Sequence, residues 1–240
     1  MEIESIIAQW DALAPERLRQ IESGQDITYR LFLVPHILKL AGRMGGMRII
    51  DIGCGVGFLA RILSDESANV IGIDPSQESI RIASIYTNEV KFIVSTVEDY
   101  VNQCCEKNDI AICNMVFMDV IDLNKAVSAC AKILRPGGRL IFSITHPFFW
   151  PKYAGYEDKE FVYSQEKIIQ APFVITNDNS INLISTHVHR PISVYINTFI
   201  KYGFRIEQIC EPMPEKDVED LYKSKWEFPR YLFGSLSLPS

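Results

Sequence analysis

The sequence is most informative first in what it lacks. It has only four histidines in 240 residues, and none stands at zinc-site spacing from a cysteine. The six cysteines, at positions 54, 104, 105, 113, 130 and 210, form no C-x-x-C pair. We expect reduced thiols, mostly in the core, and no metal. The adjacent Cys104 and Cys105 are open to two readings, a redox device or packing at a helix end. No run of Lys or Arg occurs and the formal net charge is −6. Nucleic-acid binding rests on neutralising phosphates, so a nucleic-acid partner is not expected. No apolar run reaches membrane-spanning length, which argues against a membrane partner. The start, Met1-Glu2-Ile3-Glu4-Ser5, lacks the basic region of a secretory signal, so a cytoplasmic location is expected. There is no internal repeat and no low-complexity tract. What remains is a chain with 48% hydrophobic residues, enough for a sizeable core in one domain or one domain with an insertion.

Against these absences one stretch stands out, Ile49-Ile50-Asp51-Ile52-Gly53-Cys54-Gly55-Val56-Gly57-Phe58-Leu59-Ala60. It reads as an apolar strand, a turn with glycine at every second position, and a helix start. A backbone without Cβ can bend sharply and press against a ligand, and open α/β sheets bind ligands at the carboxyl ends of their strands. A dinucleotide fingerprint needs a third glycine at position 58. Phe58 stands there instead, which disfavours a nicotinamide-linked oxidoreductase. The pattern is D-x-G-x-G-x-G.

Beyond the turn, strands and helices alternate. Strands are expected at 69–74, 90–94, 109–114 and 139–145, and helices at 76–86, 98–105 and 123–134. A helix must stop by Arg135, because Pro136 disfavours α geometry before it; Pro136-Gly137-Gly138 then reads as a turn. Such alternation implies right-handed βαβ units and a parallel sheet. It breaks at His146-Pro147. Residues 148–190 carry many aromatics and short β-like runs without a helical face, and read as an insertion covering a pocket. Order resumes with a helix at 192–202, ended by Gly203, and strands at 204–211 and 231–238.

The stretch from about Met47 to Pro239 resembles the class I S-adenosylmethionine (SAM) dependent methyltransferases, small-molecule branch. Their first motif matches Asp51, Gly53, Gly55 and Gly57, with Cys54 between. Their acidic residue after the second strand matches Asp74, twenty-one positions beyond Gly53 and followed by Pro75. The resemblance implies that Asp74 holds the cofactor ribose; the other reading is a helix cap before Pro75. The third-strand motif departs from the family. Thr96 stands where an Asp is common, so Thr96, Glu98 or the Val97 amide is left to read the adenine. The fourth strand ends Cys113-Asn114-Met115, like the strand beside the methionine part of SAM. It lacks the N-P-P-Y ending of enzymes that methylate bases. Leu134–Leu140 matches the family's turn after its helix, a structural element. His146-Pro147-Phe148-Phe149 and His189-Arg190-Pro191 resemble a narrower group with small-molecule acceptors.

The implied architecture is a Rossmann-like α/β fold. Its seven-stranded sheet is mostly parallel with the last strand antiparallel. An N-terminal helical lid spans 1–46, the cofactor-binding core 47–146, an insertion after strand five 147–190, and the rest of the sheet 191–240. The implied function is methyl transfer from SAM, with S-adenosylhomocysteine (SAH) as product, to a small, partly apolar acceptor. Alternatives are a SAM-binding regulatory or structural protein without transfer activity and, further off, a nucleic-acid methylase. A general base is needed only where the acceptor loses a proton. His146 and His189, at the two ends of the insertion, are the expected candidates and should face the chamber. The rival readings are a polar turn residue for His146 and a tie between cover and sheet for His189. His36 reads as structural. Tyr29 or Arg30, in the lid, is expected to reach the methionine carboxylate; a solvated helix is the other reading.

Overall fold

The computed structural model describes residues 2–156, 161–175 and 181–240. The main sheet is built from β1 (Arg48–Ile52), β2 (Asn69–Asp74), β3 (Lys91–Val94), β4 (Asn108–Asn114), β5 (Leu134–Thr145), β8 (Arg205–Cys210) and β9 (Tyr231–Ser237). Between β5 and β8 lies a separate antiparallel ribbon, β6 (Lys167–Pro172) with β7 (Ile184–His189). The sheet order is β3-β2-β1-β4-β5-β9-β8. β1 to β5 run parallel to their neighbours, and β9 is antiparallel to both β5 and β8. This is the expected seven-stranded, mostly parallel sheet.

Side chains alternate across a strand, and Ile49 and Ile50 show the consequence. Ile50 packs with Val127 and Ile133 of α6 (Leu123–Ile133) and Phe199 of α8 (Ile192–Lys201). Ile49 packs on the other face, with Ile37 of α2 (Val34–Ala41) and Leu63 of α3 (Phe58–Asp65). Each such side chain contributes about 1.5–3 kcal/mol by leaving water. A smaller cluster, Ala14, Ile21, Val56 and Ile82, joins α1 (Ile3–Glu22) to α4 (Gln77–Tyr86). It lays the lid across the glycine turn.

The helices end where their residues dictate. Ser76 caps α4 by accepting from the Ser79 N–H, and Asp122 caps α6 by accepting from the Lys125 N–H. Thr96 does the same for α5 (Val97–Gln103) through the Asp99 N–H. Cys104 follows α5 as its C-cap, at the helix end foreseen for the Cys104-Cys105 pair. Cys54, Cys113 and Cys130 are buried, Cys105 is exposed, and all six thiols are free. One expectation fails. Pro136-Gly137-Gly138 is not a separate turn; it belongs to β5, which begins at Leu134. The Gly137 N–H donates to the Pro239 carbonyl at 3.0 Å and the Gly138 carbonyl accepts from Leu238 at 2.9 Å. The chain's C-terminus thus pairs with residues that local sequence marks as a bend.

Among the described residues no helix is long and apolar enough to cross a membrane, and no group of three or more His, Cys, Asp or Glu is arranged to hold a metal.

Candidate functional site

A cavity of about 1420 Å³ opens at the carboxyl ends of β1, β2, β4 and β5. Its floor is the glycine turn. The three glycines are needed for two different reasons. A Cβ on Gly53 would lie 2.5 Å from the Val116 side chain, and one on Gly57 would lie 2.7 Å from Phe92 and 2.8 Å from Ala83. Both are packing requirements, and Gly57, the N-cap of α3, does not line the cavity. Gly55 differs. It has φ +53° and a Cβ there would meet nothing within 4 Å. Its missing side chain leaves space on the cavity floor.

Two carboxylates flank this turn. Asp51 is 2% exposed, lines the cavity, and its Oδ2 has no hydrogen-bond partner. Burial, with the charge of Asp74 adding to it, pushes its carboxyl up from 3.8 to about 8. Asp74 is better served: Oδ2 accepts from the Gly55 N–H at 2.9 Å and Oδ1 from the Ser76 N–H at 2.8 Å. Those bonds pull its acidity back, but burial dominates and leaves it at about 6. Asp74 therefore braces the turn and the start of α4 while facing the cavity beside Pro75. The Cys54 thiol, also on the wall, is pushed up by burial and stays protonated.

The next wall carries Thr96, Val97 and Glu98. The Thr96 hydroxyl donates to the Asp99 carboxylate at 2.9 Å besides capping α5, so it is committed within its own helix start. Burial raises the Glu98 carboxyl. At the end of β4, Asn114 accepts from the Ser143 hydroxyl at 2.6 Å. Met115 then adopts φ 62°, held there by its N–H donating to the Ser143 carbonyl and hydroxyl, each at 3.0 Å. Such strain in a non-glycine residue is a mark of functional sites. Both Asn114 and Met115 line the cavity.

The lid closes one side. Asp11 of α1 accepts from the Ser76 hydroxyl at 2.7 Å and the Glu78 N–H at 3.0 Å, pinning α1 over α4. Arg17 reaches the cavity but is paired with Asp26 at 2.8 Å. Of the two lid residues expected to reach in, Tyr29 is on the wall; Arg30 is exposed and bonds the Ile21 carbonyl. The opposite side is the insertion: Trp150, Tyr153 and Tyr156, then Ile169 and Phe173 of the ribbon region.

The two histidines expected to face the chamber do not line it. His146 is 1% exposed and sits behind the wall. Its Nδ1 accepts from the Phe148 N–H at 3.2 Å, so Nε2–H is the donor, to Glu211 at 2.6 Å. Both nitrogens are occupied, Nε2 in joining the end of β5 to the segment after β8 and Nδ1 in the local turn at Phe148. His189 donates Nε2–H to the Tyr163 carbonyl at 2.9 Å and is enclosed by Phe161 and Tyr163. The histidine on the wall is His187, stacked on Trp150 with centroids 3.9 Å apart. Burial, then His189 and Arg190, hold it down at about 3, so it is neutral in ordinary conditions. Sequence reasoning passed over Asp119, which lines the cavity just beyond β4, its carboxyl raised well above the ordinary range by burial. Its signal was an acid following the apolar Met115-Val116-Phe117-Met118. Thr145, Arg230 and Tyr231, also on the wall, were missed as well.

Residues 50–142 match the methyltransferase domain family. A ubiquinone biosynthesis O-methyltransferase of Salmonella newport is 31% identical over 112 residues, 45% of this chain and 46% of that protein. The chain thus spans about half the length of the curated relatives it matches. Among solved structures, a SAM-dependent methyltransferase of Clostridium acetobutylicum superposes with a TM-score of 0.65 at 15% identity, covering 93% of this chain and 99% of that one. The Burkholderia thailandensis 1,6-didemethyltoxoflavin-N1-methyltransferase, solved with its substrate and SAH, gives 0.59 at 13% identity, covering 95% and 88%. Residues 50–142 thus carry a methyltransferase domain, and with its sheet order and the glycine turn at the end of β1 the chain has the fold of the SAM-dependent methyltransferases.

Proposed function

We propose that this protein transfers the methyl group of SAM to a small, partly apolar acceptor held under the 147–190 cover, releasing SAH. The observation that carries the reading is the buried Asp51 oxygen without a partner, beside the open space over Gly55. A desolvated carboxylate is costly unless a cation meets it, and the ammonium of an amino-acid tail supplies one. Asp74 retains acceptor capacity for a ribose diol after its two backbone bonds. Glu98 and the Val97 amide serve the adenine edge, and the strained Met115 with Asn114 borders the methionine chain. Tyr29 closes over it from the lid.

Bound SAM supplies a methyl made electrophilic by its sulfonium, so this chain's task is alignment and exclusion of water. The aromatic wall of Trp150, Tyr153, Tyr156 and Phe173 fits both tasks. Where the acceptor must lose a proton, Asp119 takes it in place of the two histidines: it is on the wall, and burial raises its carboxyl well above the ordinary range, which makes its carboxylate a stronger base.

The test is calorimetric titration of SAH into the wild-type protein and a Gly55→Val variant. Binding to the wild type and its loss in a folded variant are expected. Unchanged affinity in the folded variant removes the cofactor from this turn.

A further inference from the structure

We propose that the acceptor carries a carboxylate and that Arg230 is the residue that receives it. This deepens the methyl-transfer reading above and rests on it.

Arg230 immediately precedes β9, and β9 pairs with β5 so that Tyr231 lies opposite Thr145. Arg230 therefore sits at the same edge of the sheet as the rest of the cavity, whose wall it joins. Its Nε is buried and has no hydrogen-bond partner, and among the described residues no carboxylate pairs with it. The guanidinium is held by aromatic faces instead. It lies 4.7 Å from the Trp226 ring centroid and 5.7 Å from that of Tyr153. Ring faces position a cation without neutralising it. The Arg230 backbone is fixed too: its carbonyl accepts the His146 N–H at 2.8 Å and the Tyr153 hydroxyl at 3.2 Å. Next to it the Thr145 hydroxyl is buried, on the cavity wall, and also without a partner.

The other cations around the cavity are differently placed. Arg17 is paired with Asp26, Lys125 with Asp122, and Lys223 is exposed to water. Among the described residues only Arg230 combines a desolvated, unpaired donor with a place at the aromatic end. A planar guanidinium fork matches a carboxylate in two parallel hydrogen bonds, and the Thr145 hydroxyl adds a third donor. The apolar walls then take the body of the acid.

The cofactor's own amino-acid carboxylate is the rival source of this chemistry. Sheet order argues against it. From β1, which carries the glycine turn, to β9 is three strand spacings, about 14 Å at roughly 4.8 Å each. Tyr29, on the lid, meets Phe58 directly after that turn with ring centroids 5.9 Å apart, and Arg17 lies 5.8 Å from the Tyr29 ring centroid.

The experiment measures binding to the SAH-loaded protein of three acid and amide pairs: benzoate and benzamide, cinnamate and cinnamamide, octanoate and octanamide. SAH affinity is measured separately. We expect at least one acid to bind about ten- to a hundredfold more tightly than its amide, the range for hydrogen bonds to a charged group. Arg230→Gln should erase that preference and leave SAH affinity within about twofold. Arg230→Lys, which keeps the charge and serves where the Gln variant fails to fold, should retain part of it. The proposal is overturned when no acid outbinds its amide on the wild type, or when the preference survives in the Gln variant. It is overturned equally when Arg230→Gln weakens SAH as much as the acid, which assigns Arg230 to the cofactor. Failure of SAH to bind the wild type strikes the methyl-transfer reading instead.

Discussion

Replacing Asp51 by Asn should remove a pH dependence from the ligand-free protein and transfer the loss to the cofactor. In the folded state the Asp51 carboxyl holds its proton up to about pH 8, against 3.8 ordinarily, chiefly because it is buried. A group with a raised folded value stabilises the fold while protonated in the folded state alone. That stabilisation is complete below the unfolded value and lost as pH rises through the folded one. At about 1.4 kcal/mol per pH unit the loss over the whole window is at most about 6 kcal/mol. Asp74 titrates at about 6, so from about pH 6.5 to about 8 the Asp51 contribution should fall by about 2 kcal/mol. Urea unfolding at several pH values measures it. Wild type should lose that much more stability across this range than Asp51→Asn, in which raised groups such as Asp119 remain. Saturating SAH should flatten the wild-type slope, because its ammonium keeps the carboxylate charged. SAH affinity should therefore rise with pH in the wild type only. Near pH 8 it should be weaker in the variant by about ten- to a hundredfold, the worth of a charged hydrogen bond. Equal slopes for the two ligand-free proteins would refute the argument, since they would mean that Asp51 is already solvated or paired.

Gly55→Val should abolish SAH binding at a cost in stability of only about 1–2 kcal/mol, the strain of a β-branched residue at positive φ, read as a modest fall in melting temperature. Asp119→Asn should lower kcat with SAH affinity kept. Because burial raises the Asp119 carboxyl, the wild-type rate should climb with pH as it ionises, and that limb should vanish in the variant; a profile that keeps it would acquit Asp119. His146→Ala should cost about 1–3 kcal/mol of stability through the lost ties to Glu211 and Phe148, while the pH profile of turnover keeps its shape. A flattened profile there would return His146 to the chemistry.

What could be read from the sequence follows from how far apart the determining residues lie. The turn from Asp51 to Gly57 shows in its glycine spacing, although the packing that demands Gly53 and Gly57 comes from the distant Val116 and Phe92. Asp74 finds its partners at Gly55 and Ser76, at the strand end beside that turn. The strand ends around the glycine turn were legible for that reason, within one or two residues. Pro136-Gly137-Gly138 misled because its partners, Leu238 and Pro239, lie a hundred residues further on and turn a local bend into the start of β5. The aromatic end of the cavity has no local code at all. Thr145, Asp119, His187 and Arg230 come from four separate segments, and their meaning depends on what each fails to touch. His146 and His187 are one residue type in similar aromatic company. One is consumed by Glu211 and a backbone amide, the other faces the cavity, and no periodicity in the chain distinguishes them. Arg230 is sharper still. A lone arginine before a strand reads as solvated surface; it becomes a candidate anchor only once the fold surrounds it with Trp226 and Tyr153 and with no carboxylate. Asp51, Thr145 and Arg230 are singled out by unsatisfied buried atoms, which a sequence does not display and a folded structure does.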